Sequence, residues 1–142
     1  MSFSNYLAAA VLDYIFSKTS DIDTQPTIYL ALSSSTPTET GTNVTEPDSA
    51  DGYSRLVTAA SDWNQATEAD PASLTNATDL EFGTATDDWL SQANMTYAVL
   101  YDSLDDTGSN NMLAFGALTT AKPVLDGDTP RFTAGDIQIT LD

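Results

Sequence analysis

Apolar residues recur at helical spacing in only one part of this chain. Leu7, Val11, Tyr14 and Ile15 form a stripe, Leu12 and Phe16 widen it, and Ala8, Ala9 and Ala10 add strong helix formers. Ser4 stands where an N-cap is wanted, and Lys18 where a cation complements the helix dipole. The pattern predicts a helix over residues 4–18. A helix this apolar must pack on its own sheet, the ordinary arrangement, or on a neighbouring subunit.

From residue 27 onward the period changes to two. Ile28, Leu30 and Leu32 alternate with Thr27, Tyr29 and Ala31, as in a half-buried strand. Residues 53–58 read as a second strand. Residues 78–83 place Leu80 and Phe82 on one face and turn Glu81 to solvent. The strongest strand signal is 95–101, and a turn-rich run at 102–111 leads into 112–118, predicting a hairpin. Turn residues at 126–130 precede Arg131 and Phe132, and 137–141 alternates again. Between the strands, residues 33–52 and 61–75 are rich in Ser, Thr, Pro, Asp and Glu and predict long acidic exposed loops, the first of them a loop or a short hairpin arm with no core to bury. No fixed period recurs, which argues against a solenoid or propeller. The expectation is a single domain over 1–142, mainly β: a β-sandwich or jelly-roll-like barrel over 27–142 with one N-terminal helix.

Charge changes the picture most. The chain carries 21 acids against 4 cations, for a net charge of -17, and has no histidine and no cysteine. Such a surface repels itself in dilute buffer. At roughly 1 M salt the Debye length falls to about 3 Å and the repulsion is screened, so the composition reads as built for a salty medium. At 41% hydrophobic residues, with acids spread along the whole chain, it does not read as a disordered tail. Lys18, Arg55, Lys122 and Arg131 are too few for a phosphate-backbone footprint. Nucleic-acid binding is therefore excluded, and contact with an anionic membrane disfavoured. Neither a membrane span nor the cationic start of a secretory signal is legible, so synthesis as a soluble protein in the cytoplasm is expected.

Candidate chemistry is sparse. Without histidine or cysteine, the familiar nucleophile systems and imidazole or thiolate metal sites are impossible. Carboxylates are abundant, but they lie in polar loops where their pKa values stay ordinary. Asp21/Asp23, Asp102/Asp105/Asp106 and Asp126/Asp128 are spaced closely enough to share calcium. None fits an EF-hand, and turn formation explains them better. Trp63, Trp89, Tyr53, Tyr97 and Tyr101 offer rings for sugars but are scattered along the chain, and Tyr97 and Tyr101 fall where strand packing is expected. No enzyme, no cofactor and no metal is the expectation.

The order of segments carries a resemblance. Ser4-Asn5-Tyr6-Leu7 opens the helix, Pro26-Thr27-Ile28-Tyr29-Leu30-Ala31-Leu32-Ser33 follows with Thr36-Pro37-Thr38, and Gly52-Tyr53-Ser54-Arg55 comes next. Leu113-Ala114-Phe115-Gly116-Ala117-Leu118-Thr119-Thr120-Ala121-Lys122 is the most specific stretch, and Gly127-Asp128 and Ile137-Gln138-Ile139-Thr140-Leu141 complete it. Over almost the full length this resembles a family of small tailed-phage virion proteins, tail-fibre or capsid decoration (cement) proteins. Acids replace the neutral loop residues of that family, which suits a virus of a halophilic archaeon.

The resemblance implies a non-enzymatic virion component. The first expectation is a capsid decoration, cement or turret-type protein on the major capsid protein lattice, working by area burial. The alternative is a tail-fibre or receptor-binding module that recognises host surface glycans or S-layer glycoprotein through the 33–52 and 61–75 loops. A homo-oligomer is expected in either case, a trimer first and a pentamer second.

Overall fold

Ser4 decides how the chain begins. Its hydroxyl accepts the Leu7 N–H at 3.2 Å and donates to the Met112 carbonyl, while its own N–H donates to the Leu113 carbonyl at 2.9 Å. One buried side chain thus ends strand β1 (Ser2–Phe3), caps helix α1 (Asn5–Ile15) and ties both to the sheet. The computed structural model describes residues 1–16, 18, 26–104 and 112–141.

The remaining strands are β2 (Ile28–Ser33), β3 (Leu56–Thr58), β4 (Ala72–Thr75), β5 (Leu80–Glu81), β6 (Met95–Tyr101), β7 (Met112–Lys122), β8 (Arg131–Phe132) and β9 (Gln138–Leu141). Five of them form an antiparallel sheet in the order β1-β7-β6-β2-β3. The predicted hairpin is its centre, with Val99 opposite Phe115 and Leu100 opposite Ala114. Two ribbons, β4-β9 and β5-β8, add the other antiparallel pairs. The molecule is mainly β with one helix near its start, in agreement with the sandwich expectation.

Strand alternation splits the core in two. Leu30, Leu32, Ala98 and Leu100 face one way and join Leu80, Phe82, Trp89, Val124 and Ile137 in the main core. Tyr53 and Trp89 meet edge to face at 5.1 Å, with Phe82 at 6.3 Å from the indole. Each such ring removes roughly 150–250 Å² from water, worth about 5 kcal/mol before ordering entropy. The Trp89 N–H donates to the Asp51 carbonyl at 3.1 Å, so its polar end is satisfied as well. Gly52, beside it, has φ 81°, and a Cβ there would meet the Thr84 carbonyl oxygen at 2.9 Å.

Ala31, Val99, Tyr101 and Met112 face the other way and form a smaller core with Tyr29, Val44 and Phe115. Val44 comes from the 33–52 segment, which sequence reading takes as an exposed loop with nothing to bury. Instead, Pro37 and Pro47 are buried, the Ser34 N–H donates to the Thr45 carbonyl at 3.0 Å, and the Thr45 N–H donates to the Ser33 hydroxyl at 3.0 Å. The 61–75 segment is corrected too: it contains β4, and Asn64 N–H bonds the Thr75 carbonyl at 2.9 Å. The helix ends at Ile15 and not at Lys18. The Phe16 N–H closes it onto the Leu12 carbonyl at 3.0 Å.

Candidate functional site

The sequence-predicted chemistry disperses once folded. Asp21, Asp23, Asp105 and Asp106 lie outside the described residues. Asp102 is half-buried and accepts the Tyr6 hydroxyl at 3.0 Å; burial raises its pKa, and the Tyr6 bond holds it back. Asp128 accepts the Leu125 N–H at 3.0 Å, closing a turn that Gly127 enters with φ 84°, and Asp126 donates its N–H to Asp88 at 3.0 Å. Asp128 thus acts as a turn residue, while Asp102 ties the end of β6 to α1. Among the described residues no three acidic side chains are grouped to hold a metal. Glu81 is exposed on its strand, as its register requires.

The aromatic candidates are not a platform. Trp89, Tyr53 and Tyr101 are buried, and Tyr97 and Trp63 are half-buried. Tyr53 instead belongs to a polar cluster that sequence reading missed. Its hydroxyl donates to Glu46 at 2.6 Å and accepts the N–H of Leu32, in β2, at 3.3 Å. Burial, then the Glu46 charge, raises its pKa far above that of free tyrosine. Arg55 reaches Glu46 at 2.6 Å, donates to the Ser103 carbonyl at 3.0 Å and lies 3.6 Å from the Tyr101 ring centroid. Burial opposes the Arg55 charge, but the Glu46 bonds and charge outweigh it and its pKa is raised. Nine residues separate this pair, and only the folded-back loop brings them together. With Tyr53 and Arg55 buried, the cluster ties Glu46 of the loop to β2 through Tyr53 and to the segment after β6 through Arg55.

Two concave surfaces among the described residues bear on function. The first is an apolar groove of about 1070 Å³ between α1 and the sheet, with Leu7, Val11 and Tyr14 on one side and Trp63, Leu74 and Ile139 on the other. The helix packs through its first half only. Leu12, Tyr14, Ile15 and Phe16 are 58%, 65%, 64% and 69% exposed, an apolar end broken only by Asp13. The second is a mixed cleft of about 730 Å³ along the far half of β7, with Lys122 and Arg131 on its walls.

The fold is thus mainly β, with an apolar helix end left exposed. Comparison with known families places the chain among structural components of tailed-phage virions. Residues 2–140 match the family described as podophage GP4 fiber I protein gp80, and the chain belongs to that family. A search of curated proteins finds no match. No helix among the described residues is long and apolar enough to cross a membrane.

Proposed function

We propose that this chain is a non-enzymatic tail-fibre subunit that assembles with copies of itself and touches the host surface. The match of residues 2–140 to a fibre family carries this reading. It favours the tail over the capsid lattice, reversing the order of the two expectations drawn from sequence.

The apolar end of α1 supports self-assembly. Copies carrying -17 each repel one another, and contact is least costly where carboxylates are few. Leu12, Tyr14, Ile15 and Phe16 offer such a place, and a cyclic trimer is the first geometry to expect. The polar tips of the 34–47 and 64–75 segments are left to face the host. The acidic surface further suggests a virus of a halophilic host.

Immunogold labelling of purified particles tests the reading. Label at the tail supports it. Label spread over the capsid returns the protein to the decoration role, and absence from purified particles removes the virion role of this chain.

A further inference from the structure

We propose that the cleft along the far half of β7 binds an acidic saccharide of the host surface, with a sugar carboxylate held between Lys122 and Arg131. The proposal rests on the host-contacting reading above and names the ligand class.

Charge placement is the first argument. Of four cations in the chain, Arg55 is committed to Glu46, with only 4% of its side chain exposed. Of the other three, two line this one cleft. Arg131 meets Asp79 at 3.5 Å with both side chains about half exposed, a loose pair. Lys122 forms no ion pair with a described residue. Two carboxylates also line the cleft, and both are engaged by backbone. Asp128 accepts the Leu125 N–H at 3.0 Å, and Asp136 accepts the Thr133 N–H and hydroxyl, each at 2.7 Å. With the Met1 ammonium, which also lines the cleft, set against the Asp79 carboxylate on Arg131, the cleft is balanced in charge on a molecule of -17.

Shape and lining narrow the ligand. A volume of about 730 Å³ suits a small ligand. The floor is apolar, with Met95, Val124 and Ile137 buried beneath it and half-buried Phe132 at the wall. Thr119, Thr120 and Gln138 supply polar groups. A pyranose needs this combination: an apolar surface for its C–H face and hydrogen-bonding groups for its hydroxyls. A carboxylate on the ring adds charge-assisted bonds to lysine and arginine. Equal numbers of cationic and carboxylate groups suit one negative charge per ring and do not suit a polyphosphate.

Titration calorimetry of the full chain with tetragalacturonate and tetramannuronate tests the site. The methyl-esterified tetragalacturonate serves as the charge-free control. At least one uronate should bind, and the ester should bind at least tenfold more weakly. Lys122→Gln and Arg131→Gln should each weaken binding at least tenfold with an unchanged circular dichroism spectrum. Adsorption of the same proteins to host cells is read separately. If the wild-type chain adsorbs to cells but binds neither uronate, or if both variants adsorb like wild type, the cleft proposal is overturned while the host-contacting reading stands. Uronate binding without adsorption overturns the host-contacting reading and leaves the ligand class supported.

Discussion

The side-chain oxygen of Asn76 accepts the backbone N–H of Ile137 at 2.9 Å. The same oxygen accepts the Gly135 N–H at 3.1 Å, and the amide nitrogen donates to the Thr78 and Thr133 carbonyls, each at 2.8 Å. With 0% exposure, this amide uses both donors and both acceptor positions to join the end of β4 to the approach to β9. Asn76→Ala should cost roughly 3 kcal/mol or more, since each buried partner left unmet costs about 1–3 kcal/mol. Asn76→Asp should be as damaging, because a carboxylate cannot donate to two carbonyls. Chemical denaturation reads both; a loss below about 1 kcal/mol in either would show that water replaces the amide.

The Glu46–Arg55 pair should behave as a buried ion pair. Glu46→Ala leaves the guanidinium and the Tyr53 hydroxyl without their acceptor and should cost about 3–5 kcal/mol. Replacing both Glu46 and Arg55 with apolar residues should recover much of the loss. A double-mutant cycle in urea checks the coupling. Additive effects would mean that the pair does not hold the 34–47 segment in place.

Asp136 sets an acid-sensitive corner. Its carboxylate accepts from the Thr133 hydroxyl and then from the Thr133 N–H, which lowers its pKa. A depressed folded-state pKa gives stability above the ordinary aspartate value of about 3.9 that disappears as pH falls through the folded value. Asp136→Ala should therefore melt below wild type at neutral pH, and the two should converge as pH falls through the depressed folded-state pKa. Melting curves across pH test this. A gap that persists in acid would assign the effect to packing.

Serine at Leu12, Ile15 and Phe16 together should leave the fold intact, because all three are exposed; exposed substitutions usually stay within about 0.5 kcal/mol each. The same change should reduce the assembled mass to that of one chain in sedimentation velocity. Retention of the wild-type mass would move the self-contact elsewhere.

Salt should stabilise this protein. At -17, lowering salt from about 3 M to 0.1 M extends the Debye length to about 10 Å and restores repulsion. Circular dichroism should show loss of structure at the low end. A spectrum unchanged there would sink the halophilic reading.

How far the sequence could be read depended on how local each signal was. Met95–Tyr101 was readable to the residue because its alternation and its β-formers agree, and Ser4 because a cap acts within one turn. Strand β4 was not readable. Ala72–Thr75 has a single large apolar residue, and its pairing comes from β9, some sixty residues away. The helix stripe was visible, but which half of it lies on the sheet depends on tertiary placement. Arg55, Glu46 and Asn76 gave no sequence pattern at all, since their roles exist only after distant segments meet. The two concave surfaces were hidden for the same reason.

The loop between β2 and β3 is seated at its base by Pro37, Val44 and Pro47. At its tip the Thr38, Thr40 and Thr42 hydroxyls bond one another at 2.7 to 3.3 Å. The tip is also tied to the start of α1, because the Glu39 carbonyl accepts the Asn5 N–H at 2.9 Å. Whatever the finger touches is therefore mechanically linked to the helix entry, and a graft in this finger has to keep a carbonyl where Glu39 now presents one.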